Sequence, residues 1–380
     1  MKLVYLIPDL ASAGGTIRVL HNKACWFTHK GGYEITVITT DQGGRPIYFD
    51  FPPDITIIDI DINYSSVYND PPVSRLISLW NKRRIHRRKL SQILERIKPD
   101  ITITVYPSDT TKIPKIKRKR GISMVEFHGN RFFRLNQGYK GIHEIVAKYR
   151  TWRDYRFIKK FDKLIVLTKE GAEQWSTLSR NIVIIPNAIT AIPKIAKKDS
   201  KRVIAVGRLV YEKGFDRLIK AWALLPKDIL SEWELTIFGE GIQQTYLEGL
   251  IKSLGIIQSA SIQPPTKHIF EEYAKSSIFV MSSYSEGLPM VLIEAMSCGL
   301  PAICFDFPCG PKDVIEDGVN GFLVENGNIP LLSKRIEELI RNDQLRNSFS
   351  EKAIYVREKF SEDKVMNMWE NLFSELLFNL

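Results

Sequence analysis

Short β-branched apolar runs alternate along the chain with stretches in which apolar residues recur every three or four positions, the pattern of parallel α/β units. In the first half, KLVYLIP (2–8), ITVITT (35–40), ITITVY (101–106), ISMVEF (122–127) and KLIVLT (163–168) predict strands. Helical spacing predicts helices near 15–30, 73–98, 142–160 and 169–178. The pattern then restarts: RVIAVG (202–207), ELTIF (234–238), IFVMS (278–282) and PAICF (301–305) predict a second set of strands. After Gly214, residues Phe215, Leu218, Ile219, Trp222 and Leu225 fall on one helical face. The closing segment SEDKVMNMWENLFSELLFNL predicts an amphipathic helix whose stripe is Val365, Met368, Trp369, Leu372, Phe373 and Leu376.

These 380 residues fit an α/β protein of two doubly wound, Rossmann-like domains in tandem. The first spans 1–190 and the second 200–360, joined through IPNAITAIPKIAKKDSK (185–201), with its prolines and charged tail. In open parallel sheets ligands bind beyond the carboxyl ends of the strands, so a cleft faced by both domains is the expected active site.

Composition narrows the class. Hydrophobic residues at 44% and charged residues at 26% exclude a disordered or collagen-like chain. Cys25, Cys298, Cys304 and Cys309 show no CxxC spacing and read as reduced cytoplasmic thiols. The opening MKLVYLIPDL stops at Pro8-Asp9 with no small-residue cleavage site, so it reads as a buried strand and not as a signal peptide. No run approaches the roughly 18 apolar residues of a membrane span. The expectation is a cytoplasmic protein that, if it works at a membrane, sits peripherally on the inner leaflet. Residues 1–180 hold 32 Lys and Arg against 17 Asp and Glu, a net of +15, whereas 181–380 hold 22 against 26, a net of −4. The first half therefore expects an anionic partner.

Chemistry concentrates in SEGLPMVLIEAMSCGLP (285–301). Pro289 suits a first helical turn, and Gly299 followed by Pro301 suits the end, so a short helix fills the interval. Its body is apolar apart from Glu294 and Ser297, and a buried carboxylate there needs donors. A ribose diol supplies them; so does an arginine, and the residues alone leave both open. Gly287 leaves bare backbone at the helix start, where amides and the dipole attract phosphate. In VGRLVYEKGFDRLIKAW, Arg208 follows a strand and Lys213 sits in the turn before a helix. Both can converge on one anion and offset the charge of a departing nucleoside diphosphate. ASAGGTIRVL sets Gly14-Gly15 after the first strand, a phosphate-friendly turn into a helix, and EFHGNRFF sets His128 at a strand end.

The 285–301 stretch resembles the E-x7-E motif of retaining GT-B glycosyltransferases, glycosyltransferase family 4 (glycosyl transferases group 1). The resemblance runs over nearly the whole chain and is strongest from Val206 to Val324. It implies that Glu286 contacts the donor sugar's hydroxyls and Glu294 the nucleotide ribose, with the amides of Gly287 and Leu288 holding sugar and diphosphate. Arg208 and Lys213, with four residues between them in GRLVYEK, resemble the family's Gly-Arg…Lys segment, which grips the diphosphate. His128 resembles the family's active-site histidine near the donor sugar. FGEGIQQ (238–244) resembles a Gly-x-Gly turn near the nucleotide, implicating Gly239, and IPNAI (185–189) a Pro-Asn-Gly-Val segment, with Ala188 for Gly. Where the family often shows Gly-Gly-x-Glu-Arg, this chain keeps Gly14, Gly15 and Arg18 but has Ile17 for the Glu, which puts any role of that Glu in doubt. By analogy with relatives, the helix 361–380 packs back on the first domain. FDFPCGPKDVIEDGVNGFLV resembles members that build capsular, exopolysaccharide and O-antigen repeats.

The implied function is retaining transfer of a hexose or N-acetylhexosamine from a nucleotide sugar, a UDP-sugar, onto a glycan acceptor linked to polyprenyl diphosphate. No cofactor and no metal are expected, since the six histidines are scattered and no clear DxD site occurs. GEGIQQ lacks the third glycine of a dinucleotide fingerprint, Gln244 standing there, which argues against an NAD enzyme. The basic clusters NKRRIHRRK (81–89) and KIPKIKRKRG (112–121) leave an alternative open, a non-catalytic polyanion, nucleic-acid or membrane-surface binder on the same fold. No nucleic-acid module accompanies them, so no nucleic acid is expected. An anionic membrane surface meeting the basic first domain fits better, helped by aromatics interleaved with charge in FHGNRFFRLNQGYKG (127–141) and KYRTWRDYRFIKKF (148–161).

Overall fold

The computed structural model describes residues 1–12, 14–116, 121–132, 134–135, 140–190, 195–196 and 199–378. Parts of the second basic cluster (117–120), of the aromatic stretch (133 and 136–139) and of the inter-domain connection (191–194 and 197–198) lie outside the described residues. The chain divides into two compact units: Met1–Leu167 with Gly171–Ile185 and Val365–Leu380, and Thr168–Glu170 with Pro186–Lys364.

The first unit is built on a seven-stranded parallel sheet of order β3-β2-β1-β4-β5-β6-β7. Its strands are β1 (Lys2–Leu6), β2 (Glu34–Thr39), β3 (Thr56–Asp59), β4 (Ile101–Val105), β5 (Ile122–Phe127), β6 (Lys163–Val166) and β7 (Ile182–Ile184). Helices α1 (Gly15–Lys30), α2 (Pro72–Ile97), α3 (Ile142–Ile158) and α4 (Lys169–Ser176) run between strands. In β1 and β4, Leu3, Val4, Tyr5, Ile101 and Ile103 are fully buried, as expected of strands covered on both faces.

The second unit repeats the plan with six parallel strands in the order β10-β9-β8-β11-β12-β13. These are β8 (Arg202–Val206), β9 (Glu234–Phe238), β10 (Ala260–Gln263), β11 (Ile278–Met281), β12 (Ala302–Asp306) and β13 (Gly321–Glu325). Among its helices are α5 (Phe215–Ala223), α6 (Lys227–Glu232), α7 (Gln244–Ser253), α8 (Ile269–Ala274) and α9 (Met290–Ser297). Phe215, Leu218, Ile219, Trp222 and Leu225 are all buried, the face their spacing predicts. In each sheet the order reverses at one junction, β1/β4 or β8/β11, the position beyond whose carboxyl ends open parallel sheets bind ligands.

The last helix, Glu362–Phe378, packs its Val365–Phe378 portion within the first unit. Phe373 lies 5.4 Å from Phe27, and Glu370 takes bonds from Lys30 at 2.7 Å and Tyr33 at 3.2 Å. Its stripe differs from the predicted one: Met366 is buried and Met368 is exposed. Positions two apart point about 200° away from each other round a helix, so only one of these two methionines can face the unit.

Candidate active site

In the second unit the charged residues gather at the reversal of strand order. β8 and β11 are adjacent in the sheet, so Arg208 and Lys213 after one and Glu286 after the other leave from neighbouring strand ends. The two loops are laced together: Tyr284 N donates to Glu212 O at 2.8 Å, and Ser282 Oγ to Lys213 O at 3.2 Å. Gly214 has φ +60°, and a Cβ there would stand 2.2 Å from Ser282 O, so only glycine lets the loops approach this closely.

Lys213 Nζ meets Glu286 Oε1 at 2.6 Å, and Ser283 Oγ donates to the same oxygen at 2.8 Å. The lysine stem crosses Gly207, its Cδ and Cε 3.4 Å from where a Cβ would be, and so lies along the strand end that Arg208 follows. Arg208 is exposed and makes no ion pair among the described residues. Gly239, after β9, abuts the same strand end; a Cβ there would stand 1.9 Å from Gly207 O. That contact alone demands glycine, whatever ligand the turn meets.

Pro289 is the N-cap of α9 and not part of its first turn, and no side chain caps the helix start. The amide-bearing segment Gly287–Leu288 is braced from behind by Gly310, where a Cβ would stand 2.7 Å from Gly287 O. Leu288 is buried, which anchors the segment while its backbone leads into the helix. Glu294 lies in the buried body of α9, and Gly299, at φ +83°, closes the helix end. The two glutamates of the E-x7-E motif thus occupy different surroundings, one in a loop within reach of water and one inside a packed helix. Burial, opposed by Arg357 and helped by Glu294, lifts the Cys298 thiol to about 12, and burial raises Cys304 as well, so these two thiols stay protonated.

A support that sequence reasoning missed is Arg217. Buried on α5, it donates Nε to Ser282 O at 3.1 Å and Nη1 to Asn326 at 2.8 Å. Its guanidinium lies between the rings of Tyr284, at 3.7 Å, and Phe305, at 4.4 Å. The available signal was an arginine among residues of a buried helical face.

In the first unit Gly14 is the N-cap of α1, again without a side-chain cap. Neither glycine has a left-handed backbone, and nothing lies within 4 Å of a Cβ built at Gly15. The pair therefore leaves amides bare and is not forced by conformation. Ile17, standing where the family pattern has Glu, is buried in the core.

His128 follows β5 and is nearly buried, and its Nε2 lies 2.9 Å from Glu126 Oε2. The other carboxylate oxygen, Oε1, is ion-paired with Lys23 of α1. Burial alone would raise the Glu126 carboxyl, but Lys23 and the His128 bond outweigh it and hold it at about 2. Burial lowers the Lys23 ammonium, and Glu126 partly restores it. Sequence reasoning found His128 and missed both partners. The signal was Glu126 itself, a carboxylate in an otherwise apolar strand.

The basic helix α2 is held by part of its own cluster. Lys82 bonds Ile62 O at 2.5 Å and Lys89 bonds Ile60 O at 2.7 Å, while buried His86 sits between Tyr64 Oη and Asp109 Oδ1, each 2.9 Å away. Arg83, Arg84, Arg87 and Arg88 remain exposed. One turn apart on the same helix, Val73, Leu76, Ile77 and Trp80 form an apolar stripe that is also exposed. On α3, Ile142, Ile145, Val146, Tyr149 and Trp152 do the same. Burial and the charges of Arg87, Arg153, Arg83 and Lys112 together lower the Lys115 ammonium.

Among the described residues no three or more His, Cys, Asp or Glu side chains form a group able to hold a metal ion. No helix among them is long and apolar enough to cross a membrane.

Comparison with known proteins gives two family matches: Glycosyltransferase Family 4 over residues 13–191 and Glycosyl transferases group 1 over residues 189–355. A Haemophilus influenzae protein described as an uncharacterized glycosyltransferase is 30% identical over 375 residues, 98% of this chain and 99% of that protein. A Campylobacter jejuni relative, GalNAc-alpha-(1->4)-GalNAc-alpha-(1->3)-diNAcBac-PP-undecaprenol alpha-1,4-N-acetyl-D-galactosaminyltransferase, is 23% identical over 388 residues, 99% of each chain. Among solved structures, a mutant of S. aureus TarM in complex with Fondaparinux, alpha-GlcNAc-glycerol and UDP shares the fold at a TM-score of 0.78 and 18% identity, over 98% of this chain and 99% of that one.

Proposed function

The chain belongs to glycosyltransferase family 4, the glycosyl transferases group 1, and from that premise we propose that it moves a hexose or N-acetylhexosamine from a UDP-sugar onto a lipid-linked glycan in cell-surface polysaccharide assembly, with retention. The observation that carries this reading is the convergence of Arg208, Lys213, Glu286 and the uncapped start of α9 on one strand-order reversal. An entering diphosphate draws Lys213 from Glu286 and adds Arg208, so two cations offset the charge that grows on the leaving group without a metal ion. Glu286, still held by Ser283, then turns its carboxylate to the sugar hydroxyls. The amides of Gly287 and Leu288 receive sugar and phosphate oxygens, Gly239 flanks the nucleotide, and Glu294 takes the ribose diol. In the first unit, His128 and the Gly14-Gly15 loop contribute to the sugar and its acceptor.

The UDP found with a fold neighbour and the undecaprenol-linked acceptor of the C. jejuni relative support the choice of donor and acceptor class. Thermal shift across UDP-, GDP- and ADP-sugars, with and without EDTA, tests it. The expected result is stabilisation by one UDP-sugar, unchanged by EDTA and weakened in Glu294→Ala. No shift with any of them in a folded sample would favour a polyanion-binding member of the fold.

The enzyme is also proposed to work peripherally at the anionic inner leaflet through α2 and α3. Their exposed apolar stripes end in Trp80 and Trp152, each followed by arginines, the order in which a bilayer offers hydrocarbon, interface and phosphate. Co-sedimentation with phosphatidylglycerol-containing vesicles should fall as salt rises and fall further in Trp80→Glu. Sedimentation that neither salt nor this substitution changes would remove the face from the reading.

A further inference from the structure

A line of four side chains from three elements crosses the interior of the first unit. Trp369, on the last helix, lies with its ring centroid 3.9 Å from Lys23 Nζ. Lys23, on α1, is ion-paired with Glu126 Oε1, and Glu126 Oε2 lies 2.9 Å from His128 Nε2. Lys23 and Glu126 have side chains only 2% and 4% exposed, while His128, at 10%, is the one member that reaches the surface. A buried ion pair is a poor way to stabilise a core, because desolvating both ions costs as much as their attraction returns, and well-packed apolar residues do as well or better. What the pair does accomplish is directional.

An ionised carboxylate only accepts hydrogen bonds, so the nitrogen facing Glu126 must carry a proton. Nε2 is therefore the donor, and Nδ1 is the ring nitrogen with no protein partner among the described residues. Lys23 supplies the opposite charge that lets the carboxylate stay ionised in the core, and the Trp369 ring closes the far side of the ammonium.

We propose that Lys23 and Glu126 are positioning residues that lock His128 in one ring orientation and one tautomer, with Nε2 as donor and Nδ1 left to the bound sugar. The proposal rests on the reading of His128 as a residue that contacts the donor sugar. It assigns a task to α1 beyond its glycine turn, since the same helix carries Lys23.

Glu126→Gln is the discriminating change. Lys23 donates, so it orients the amide with its carbonyl oxygen towards the ammonium and its NH2 towards His128. An NH2 group needs an acceptor, and Nε2 must give up its proton, moving it to Nδ1. The geometry is kept while the tautomer is inverted, the logic by which an Asp→Asn change disables a catalytic triad. Imidazole 15N spectra of the full-length protein, with the signal identified by its loss in His128→Ala, read this without any ligand. The expected wild-type signature is the Nε2–H tautomer, and the expected Glu126→Gln signature is Nδ1–H. Turnover of the UDP-sugar chosen by thermal shift, followed as UDP release, should fall on the order of 10- to 100-fold in kcat. Glu126→Gln should add no further loss in a His128→Ala background.

A wild-type tautomer in Glu126→Gln would overturn the relay. An inverted tautomer with unchanged turnover would leave the relay standing and refute instead the placing of His128 at the sugar. Lys23→Met/Glu126→Leu guards against misfolding as an explanation: this variant should melt no lower than wild type yet lose turnover like His128→Ala, and wild-type turnover in it would overturn the proposal.

Discussion

Each unit carries one Lys–Glu pair at its candidate site, and the two pairs live in opposite surroundings. Lys23 and Glu126 are almost completely enclosed, whereas the Lys213 and Glu286 side chains are each 18% exposed. In the interior no other partner competes, and separating the ions would strand two charges without solvent, so that pair is a fixture. At the loop ends of β8 and β11 water reaches the pair, so exchanging partners costs little, as the proposed entry of a diphosphate requires. Arg208, exposed and without an ion pair among the described residues, adds a cation already prepared for an anion. The same two residue types thus serve as scaffold in one unit and as an exchangeable contact in the other, and burial decides which.

The comparison breaks most visibly at the exchangeable pair. Lys213→Ala and Arg208→Ala should each lower turnover by roughly 1,000-fold, the scale of removing one preorganised donor to a developing anion. Urea unfolding should shift by no more than about 0.5 kcal/mol, as for other changes at an accessible loop. More than a tenth of wild-type turnover in both variants would take these cations out of the machinery.

The fixture should respond the other way, in stability first. Lys23→Met leaves the Glu126 carboxylate without its counter-ion and should cost about 3–5 kcal/mol by urea unfolding. Lys213→Met should cost less than about 1 kcal/mol. Equal losses in the two variants would mean that burial does not separate the pairs.

A smaller effect sharpens the contrast in acid. Glu126 is held at about 2 in the folded chain against an ordinary 4.5, so the unfolded chain binds that proton first as pH falls. Its contribution to stability is full above about 4.5 and drains away as pH drops through about 2. Glu126→Gln should flatten this part of the acid-unfolding curve, and an unchanged curve would show that the pair does not stay ionised.

Legibility followed burial too. The strands predicted from apolar runs are the inner ones, β1, β2, β4, β5, β6, β8, β9, β11 and β12, which are packed on both faces and read as continuous hydrophobic segments. The strands left without a prediction are β3, β7, β10 and β13, the four edges of the two sheets. The two edges of the first sheet are also short and partly exposed, four residues in Thr56–Asp59 and three in Ile182–Ile184, too brief for a run of apolar residues to mark a strand locally. The candidate site divides the same way. Residues grouped in one short segment, Arg208 with Lys213 and Glu286 through Glu294, stood out because those segments resemble motifs of the family, not by their spacing alone. Lys23, 103 positions from Glu126, and Arg217, 65 positions from Ser282, did not, because their roles exist only once distant segments meet.

The sequence by itself determined the α/β class, the two-fold repetition of the strand–helix pattern and the positions of the charged loops, since periodicity and turn chemistry are local properties of the chain. Only the tertiary structure decided which Lys–Glu pair is sealed and which is open, that Met366 and not Met368 faces the core, and that Glu126 holds His128 by Nε2. Those choices depend on which surfaces lose water together, and desolvation is set by the packing of segments far apart in the chain.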